Sequence, residues 1–421
     1  MSAFFFTLFA DADPVPSCTF RIIERIIIQH LIFFHLHVYN KADPMGPNHL
    51  RGADMDARTR LFRKRQPYMP DEDLFVKAVR ENLSHHAQHC PFYAGLLARE
   101  GFEIRSLQTY VDCARIPLLP ASLFKYHEIL SLSRDSIRIH ATSSGTQGQK
   151  SQVFIDDDTL RLGTHMVMRC FAHHRLISPI PANYIMLGYQ PSDDNDMGAV
   201  KTAMGVTRFA PALHREFVLK KTADGYLPDW FGVMAALQRY EKQRLPVRFV
   251  GFPAFLHRLL IALEKEKLTL RLNRQSLVLL GGGWKQFSNE QIDKQQLYAM
   301  AEERLGIPSA RCRDFYSAVE HPVAYAECAH HHMHVPAWSH VFIRDVETLE
   351  PLGFDRPGFL SFVTPLVNSA PLTSIMMGDL AVLRDGRSCG CGIEAPYFEV
   401  LGRAGTSPLR NCAVTADSLM R

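Results

Sequence analysis

The sequence predicts an α/β fold with a parallel sheet that is covered by helices on both faces. Three apolar strands, VRFVGF (247–252), SLVLL (276–280) and CRDFYSA (312–318), are separated by two stretches with helical patterning. Strands that alternate with helices at this spacing are typical of doubly covered parallel sheets. Ligands of such sheets bind beyond the carboxyl ends of the strands, so polar motifs at those ends are candidate functional residues.

The first half of the chain shows the same alternation. A helix is predicted over 70–90 with Asp71 as its cap, followed by an extended segment at 116–124. A second helix covers 160–171, and YIMLGY (184–189) predicts a short buried strand. These elements extend the α/β pattern toward the N-terminus.

The second half provides clear helix boundaries. Pro253 opens one helix, because the missing N–H of proline costs nothing in a first turn. Ser288 and Gln291 have the spacing of a capping box, so the next helix is expected to begin at Ser288 and to end near Gly306.

Composition excludes several classes of protein. The 421 residues suffice for one large domain or two to three ordinary ones, and 47% are hydrophobic. The net charge is only +4 and no long Lys/Arg run occurs, which gives no support to nucleic-acid binding. Nine cysteines, an odd number, favour metal ligation or a reactive thiol over a disulfide framework.

Residues 1–54 differ from the rest and are expected to form a poorly ordered extension, with 55–421 as the folded domain. The apolar run at 20–40 is interrupted by charges, so no membrane span is expected, although a surface-lying helix is an alternative. An acidic rather than basic segment precedes this run, which argues against a signal peptide. A cytoplasmic enzyme is therefore the default expectation.

The loop HATSSGTQGQKSQVF (140–154) has the composition of a phosphate-binding loop. Backbone N–H groups, hydroxyls and an ammonium all donate to phosphate oxygens. The loop is not a Walker A motif, because only two residues separate Gly145 from Gly148 and Gln149 precedes Lys150. The sequence therefore predicts a phosphate site of another class.

Five motifs occur in the order and spacing of the adenylate-forming enzymes, over roughly residues 70–421. They are Ser143-Ser144-Gly145-Thr146-Gln147-Gly148-Gln149-Lys150, Gly281-Gly282-Gly283-Trp284, FYSAVE (315–320), Met377-Gly378-Asp379 and Leu401-Gly402-Arg403. The third resembles the Tyr-Gly-x-Thr-Glu signature of that superfamily, although Ser317 and Val319 stand where Gly and Thr are common. The resemblance implies the large N-terminal-type domain of these enzymes, with parallel sheets, flanking helices and a small β region.

The resemblance also implies ATP and Mg²⁺ as cofactors, with a role for each motif. Tyr316 would stack on adenine above the glycine turn, Glu320 would hold Mg²⁺, and Asp379 with Arg403 would contact the ribose. Lys150 and the loop would bind phosphate. This chemistry has a physical basis, since joining a carboxylate to ATP brings two anions together and their charge must be neutralised.

Within the superfamily, ATSSGTQGQKSQVF, IPLLPASLFK and LLGGGWK resemble LuxE-type acyl-protein synthetases, and the chain also resembles phenylacetate–CoA ligase-like proteins. The former resemblance implies activation of a long-chain fatty acid, transfer to an enzyme cysteine and delivery to an acyl reductase or another thiol-bearing partner. Cys412 lies where that cysteine is expected, with Arg410 nearby to lower its pKa. Only residues 404–421 follow Arg403, so the C-terminal lid domain of the superfamily is expected to be absent.

A separate group of cysteines and histidines predicts a structural zinc site. Cys389 and Cys391 are separated by one glycine, and Cys328 and His334 lie upstream, a plausible tetrahedral set. The phenylacetate–CoA ligase-like proteins carry a Cys, His, Cys, Cys zinc site that this spacing resembles. The histidines at 330–332 compete for the imidazole position, and buried free cysteines are the alternative.

Three functions remain open from these residues. The preferred function is an ATP-dependent acyl-protein synthetase. The second is an acid–CoA ligase, which differs in its acceptor. The third is a degenerate nucleotide-binding scaffold without catalysis, which the departures at Ser317 and Val319 suggest.

Overall fold

The computed structural model describes residues 55–142, 151–192 and 198–404. Within these ranges the α-helices are α1 (Ala57–Phe62), α2 (Glu72–His89), α3 (Pro91–Arg99), α4 (Leu123–Tyr126), α5 (Asp157–His173), α6 (Gly198–Val206), α7 (Trp230–Gln243), α8 (Pro253–Lys265) and α9 (Lys294–Leu305). The expected extension at 1–54, the loop at 143–150 and Cys412 lie outside the described residues. No helix within the described ranges has the length and apolar character to cross a bilayer.

The strands follow the same chain order. They are β1 (Leu119–Pro120), β2 (Ile137–Thr142), β3 (Gln152–Asp156), β4 (Ala182–Tyr189), β5 (Ala212–Thr222), β6 (Gly225–Pro228), β7 (Val247–Gly251), β8 (Leu277–Gly281), β9 (Cys312–Ala318), β10 (His321–Ala326), β11 (Met333–His334), β12 (His340–Arg344), β13 (Pro351–Leu352), β14 (Pro357–Val363), β15 (Ser374–Arg384) and β16 (Tyr397–Arg403). All strands except β2 and β3, which pair with each other, belong to two larger sheets.

The first of these sheets contains the parallel strands that the sequence predicts. Its order is β10-β9-β8-β7-β4-β5-β6, in which β9, β8, β7, β4 and β5 are parallel and the two outer strands are antiparallel. Side chains of α7, α8 and α9 pack on one face, while α5 packs on the other. The predicted α/β class with helices on both faces is confirmed. The carboxyl ends of β4, β7, β8 and β9 therefore meet along one edge, which we call the carboxyl edge.

The second sheet is mostly antiparallel and carries the Asp motif. Its order is β11-β16-β15-β14-β12-β13, with β1 beside β15. The two sheets share one hydrophobic core, in which the Tyr325 ring of β10 lies 5.3 Å from Phe362 and 5.0 Å from Phe398. This packing brings β15 and β16 next to β9 and β10.

Local capping explains why the helices begin and end where they do. The Asp71 carboxylate accepts from the Leu74 N–H at the start of α2, and Pro91 begins α3 directly after α2 ends. Pro253 begins α8 as predicted, and α9 ends at Gly306, which has a left-handed φ of 67°. These boundaries depend on single residues, so they can be predicted locally.

Two local predictions are wrong. The helix expected from Ser288 begins instead at Lys294, because the Asp293 carboxylate accepts from the N–H groups of Gln295 and Gln296. Ser288 lies in a 3-10 turn over 285–290. The second is wrong only at its C-terminal end, since the segment at 116–124 contains the extended strand β1 but Leu123–Tyr126 forms a helical turn.

Candidate functional site

The carboxyl ends of β8 and β9 place the glycine turn beside the tyrosine motif. Gly281 ends β8 and pairs with Phe315 of β9. A Cβ atom at Gly281 would lie 2.6 Å from the Phe315 ring, so a larger residue does not fit without a shift. Gly282 and Gly283 follow with φ values of 78° and 66°, a left-handed conformation that favours glycine. The chain can therefore turn sharply next to Tyr316.

Tyr316 and Arg403 both contact the carboxylate of Asp379. The Tyr316 hydroxyl donates to Asp379 Oδ2 at 2.9 Å, and Arg403 Nε lies 3.4 Å from Oδ1. The pairing of β15 with β16 places Asp379 directly opposite Arg403. The Asp379 side chain is 13% exposed and that of Arg403 64%, so the ion pair lies at the rim of the site. Each oxygen of the Asp379 carboxylate thus has its own partner, which fixes the orientation of the group.

Glu320 lies close to the same group of side chains. It occupies the turn between β9 and β10 and is buried. Burial, with the neighbouring carboxylates of Asp379 and Glu320, raises the pKa of Tyr316 well above its ordinary value. The Tyr316 hydroxyl therefore remains protonated and acts as a donor. The carboxylates of Asp379 and Glu320 both lie close enough to Tyr316 to raise its pKa. Residues of the tyrosine motif and of the Asp motif therefore lie together.

Aromatic residues that the motifs did not identify surround Tyr316. The ring centroids of Phe362 and Phe398 lie 5.7 and 5.8 Å from that of Tyr316. His321 is fully buried and stacks on Phe362 at 4.1 Å. Burial lowers the pKa of His321 to about 3, so the ring is neutral, and its Nε2 lies 2.7 Å from the Tyr325 hydroxyl. His321 directly follows the tyrosine motif, whereas the two phenylalanines have no comparable sequence signal.

Part of the candidate set lies outside the described residues, namely Ser143, Ser144, Gly145, Thr146, Gln147, Gly148, Lys150 and Cys412. The strands that flank the loop are described, and Thr142 of β2 pairs with Gln152 of β3. The Ser369 hydroxyl donates to the Phe154 carbonyl of β3 at 2.5 Å. This bond joins β3 to the segment between β14 and β15.

A second cluster brings together Cys328, His334, Cys389 and Cys391, whose ligand atoms all lie within 4.8 Å of one another. The Sγ atoms of Cys328 and Cys389 are 3.6 Å apart, and Cys391 Sγ lies 3.2 Å from His334 Nε2. Zinc bonds of about 2.3 Å to sulfur and about 2.0 Å to nitrogen place tetrahedral ligand atoms about 3.5–3.8 Å apart. Three cysteines and one histidine are a donor set that suits Zn²⁺, and the Cys328–Cys389 separation of 3.6 Å lies within this range.

Hydrogen bonds orient these ligand atoms. His334 Nδ1 donates to the Ala395 carbonyl at 2.7 Å, which leaves Nε2 to face the cysteines. The His330 N–H donates to Cys328 Sγ at 3.3 Å, a contact that stabilises a thiolate. Such surrounding bonds are typical of zinc sites, and they fix the tautomer of the histidine ligand.

The structure separates the competing histidines. His331 Nε2 lies 3.0 Å from the Ser309 hydroxyl. His332 Nδ1 lies 3.0 Å from Cys389 Sγ, while its ring stacks on Tyr397 at 4.2 Å. Although His332 contacts one sulfur, its ring is not part of the set of four close ligand atoms. His334 is part of that set.

Structural comparison identifies the fold as that of adenylate-forming ligases. An open conformation of 2-hydroxyisobutyryl-CoA ligase, in complex with 2-HIB-AMP and CoA, has a TM-score of 0.61 at 17% identity and covers 86% of this chain and 82% of that chain. The same ligase in its postadenylation state with 2-HIB-AMP has a TM-score of 0.61 at 16% identity, over 85% and 72%. At these identities the likeness concerns the fold alone.

Sequence comparison places the chain more narrowly. Two relatives named long-chain-fatty-acid–luciferin-component ligase are each 23% identical to it. The protein from Vibrio harveyi matches over 72% of this chain and 78% of its own length, and that from Aliivibrio fischeri over 73% and 79%. The family model for acyl-protein synthetase, LuxE, matches residues 65–420. Because that match spans both sheets and every described motif, the chain belongs to the LuxE acyl-protein synthetase family.

Proposed function

We propose that this enzyme uses ATP and Mg²⁺ to activate a long-chain fatty acid and then acylates its own Cys412. In the first step a carboxylate oxygen attacks the α-phosphorus of ATP, which forms acyl-AMP and releases pyrophosphate. In the second step the Cys412 thiolate attacks the acyl carbonyl, which forms a thioester and releases AMP. The thioester then passes to a thiol-bearing partner protein, such as an acyl reductase.

The convergence of Tyr316, Asp379 and Arg403 beside the glycine turn at 281–283 supports this proposal most strongly. An aromatic ring and a turn without side chains can enclose a purine from two sides. The Asp379 carboxylate can accept from two ribose hydroxyls at once, and the exposed Arg403 can reach the nucleotide from the rim.

The remaining motif residues would neutralise the phosphates. Glu320 offers a hard oxygen ligand for Mg²⁺, which supplies positive charge to the phosphate oxygens when bound. Lys150, Ser143, Ser144, Thr146 and Gln147 would add donors, with Gly145 and Gly148 allowing a close approach of the backbone. The cysteine and histidine cluster would hold Zn²⁺ in a structural role.

Acid-dependent exchange of radiolabelled pyrophosphate into ATP tests the first step. We expect exchange with long-chain fatty acids and a decrease of about 100-fold in Asp379→Asn, which loses the charged acceptor. Asp355→Asn is a matched control, because Asp355 pairs with Arg384 at an exposed position. Absence of exchange with every acid of a panel would mean that the chain does not activate acids.

Labelling with a radioactive fatty acid and ATP tests the second step. We expect hydroxylamine-sensitive label on the protein that is lost in Cys412→Ala and retained in Cys113→Ala, whose thiol is buried. Label that persists in Cys412→Ala would show that another residue is the nucleophile. Exchange without protein label, together with formation of an acyl-CoA, would identify coenzyme A as the acceptor.

A further inference from the structure

We propose that His321 is a positioning residue that holds the turn carrying Glu320 in place and thereby sets the affinity of the site for Mg²⁺. Val319 and Glu320 form the two-residue turn between β9 and β10, and the register pairs Ala318 with His321 across it. His321 therefore anchors the turn on its β10 side. The proposal rests on the proposed function for the role of Glu320 as a Mg²⁺ ligand, and on the following geometry for the role of His321.

The side chain of Glu320 has no contact of its own that fixes its direction. The residue is only 7% exposed, yet its carboxylate has no hydrogen bond or ion pair among the described residues. Its oxygens are not sealed from solvent, so a cation can reach them. A carboxylate that is buried without a protein partner fits a metal ligand, because the ion supplies the missing countercharge. The direction of this group therefore depends on the backbone of the turn.

A bulge in β10 lies directly next to this turn. The strands pair His321 with Ala318 and Tyr325 with Tyr316. Three residues separate His321 from Tyr325, whereas one residue separates Ala318 from Tyr316, so β10 carries extra residues at this point. Bulges re-aim side chains and are common beside active sites, but the residues that they add are not held by the ladder of backbone hydrogen bonds. The position of the turn relative to Tyr316 therefore needs a further link across the bulge.

The side chain of His321 supplies this link. Its Nε2 lies 2.7 Å from the Tyr325 hydroxyl, so the two ends of the bulge are joined directly. The Tyr325 hydroxyl lies 2.6 Å from the Ser339 hydroxyl, and Ser339 donates to the Val363 carbonyl of β14 at 3.3 Å. Because a carbonyl only accepts, this order assigns the Nε2–H of His321 as the donor to Tyr325. The chain of hydrogen bonds thus runs from the Glu320 turn across the bulge to the second sheet.

Stability alone does not explain a histidine at this position. The ring is fully buried and stacks on Phe362 at 4.1 Å with an interplanar angle of 7°, a contact that a phenylalanine would also make. By contrast, Nδ1 of His321 is buried without a partner in the part of the chain that the structure describes. An unpaired polar atom lowers stability, and a phenyl ring has no such atom. What the imidazole adds is the directional bond to Tyr325.

His321→Phe separates positioning from packing. The variant keeps the stacked ring and loses the bond across the bulge, so its Tm should stay within about 2 °C of that of the wild type. Calorimetry with the full chain measures the Kd for α,β-methylene-ATP, an analogue that cannot be converted to acyl-AMP. With Mg²⁺ present we expect this Kd to rise about tenfold, as is usual when a residue that orients a metal ligand is replaced. Without Mg²⁺ the Kd should be the same in both proteins.

Two further variants make the test specific for the bond across the bulge. Tyr325→Phe removes the same bond from its other end and should also raise the Kd with Mg²⁺. The double variant should bind no more weakly than Tyr325→Phe, because one bond accounts for the effect of both substitutions. His340→Phe is the matched control, since the His340 ring stacks on Tyr110 at 4.7 Å but makes no hydrogen bond within the ranges that the structure describes. It should leave the Kd unchanged with and without Mg²⁺.

In the exchange assay, His321→Phe should raise the KM for Mg²⁺ about tenfold and leave kcat at saturating Mg²⁺ within about twofold. An unchanged Kd with Mg²⁺ in His321→Phe would overturn the proposal, as would an equal loss in His340→Phe or a wild-type Kd that does not depend on Mg²⁺. If the wild type shows no exchange with any acid, the proposed activation of acids fails by itself. The calorimetric comparison then still decides whether His321 controls Mg²⁺-dependent nucleotide binding.

Discussion

The hydroxyl and the ring of Tyr316 have separable roles at the scale of a single residue. The ring packs against Phe362 and Phe398, whereas the hydroxyl donates to Asp379 at 2.9 Å. A hydrogen bond to a charged acceptor contributes about 1.5–3 kcal/mol when its partner is buried. Under the proposed function, the hydroxyl would orient Asp379 toward the ribose, independently of any stacking of the ring on adenine.

Tyr316→Phe is expected to raise the KM for ATP in the exchange assay about tenfold and to leave kcat within about twofold. Tyr316→Leu, which also removes the ring, should lose about a further tenfold. Tyr93→Phe is the control, because the Tyr93 hydroxyl is buried without a hydrogen-bond partner among the described residues. An unchanged KM in Tyr316→Phe would exclude the orienting role.

At the scale of elements, Arg58 joins α1 to the rest of the fold. Its guanidinium is buried and donates to the carbonyls of Pro365 and Leu366, beyond β14, and to the Thr159 hydroxyl of α5. Asp158 completes this set at 2.5 Å. One side chain thus supplies donors to two buried carbonyl groups, of which that of Leu366 also accepts from the Thr159 hydroxyl at 3.4 Å.

Arg58→Met is expected to lower the free energy of unfolding by about 3–4 kcal/mol, because it removes the Arg58 donor from the buried Pro365 carbonyl and the ion pair of Asp158. Urea denaturation followed by circular dichroism measures this change. Arg60→Met, at an exposed position of the same helix, should change stability by less than about 0.5 kcal/mol. Equal effects of the two substitutions would contradict the assigned role of Arg58.

His86 makes the packing of α2 sensitive to pH. It is fully buried, with Nδ1 at 2.7 Å from the Ser131 hydroxyl and Nε2 at 3.1 Å from the Val367 carbonyl. Burial, followed by the nearby His85, lowers the pKa of His86 from 6.5 to about 3. In the unfolded chain the imidazole titrates normally, so its stabilising contribution is complete above about pH 6.5 and falls as the pH drops toward 3.

At about pH 5 this difference in protonation should lower the free energy of unfolding by about 2 kcal/mol relative to neutral pH. His86→Gln keeps one donor and one acceptor but cannot titrate, so its stability should fall less between about pH 7.5 and about pH 5. Urea denaturation of both proteins at the two pH values measures how steeply the free energy of unfolding changes with pH. Parallel slopes would show that His86 does not carry this pH dependence.

At the scale of the whole molecule, the cysteine and histidine cluster connects the two larger sheets. Cys328 follows β10 of the parallel sheet, whereas Cys389 and Cys391 lie between β15 and β16 of the other sheet. His334 belongs to β11, which pairs with β16. A metal ion bound there would hold together the two sheets that carry Glu320 and Asp379.

We expect the purified protein to contain about one zinc per chain by elemental analysis, and His334→Ala to lose it. His332→Ala should retain zinc, because His332 is not one of the four residues whose ligand atoms all lie within 4.8 Å of one another. Removal of zinc with a chelator should lower Tm by roughly 5–10 °C, since a link between the sheets is lost. Zinc retained by His334→Ala but lost by His332→Ala would reverse the assignment of the ligand.

Much of this protein can be predicted from local sequence signals. Alternating strands and helices predicted the parallel sheet, CRDFYSA coincides with β9, and Pro253 and Gly306 bound their helices as expected. Such features depend on residues that are close in the chain. Ser288 shows the limit, because a nearby Asp provided a better cap.

The sequence alone determined the fold class, the identity of the motifs and most helix ends, since periodicity and capping act over a few residues. Only the tertiary structure decided which distant side chains meet. The register of β15 with β16 pairs Asp379 with Arg403, and the packing of the two sheets surrounds Tyr316 with Phe362 and Phe398. The grouping of His334, rather than its neighbours, with the three cysteines likewise depends on strand register and packing, which no short stretch of sequence encodes.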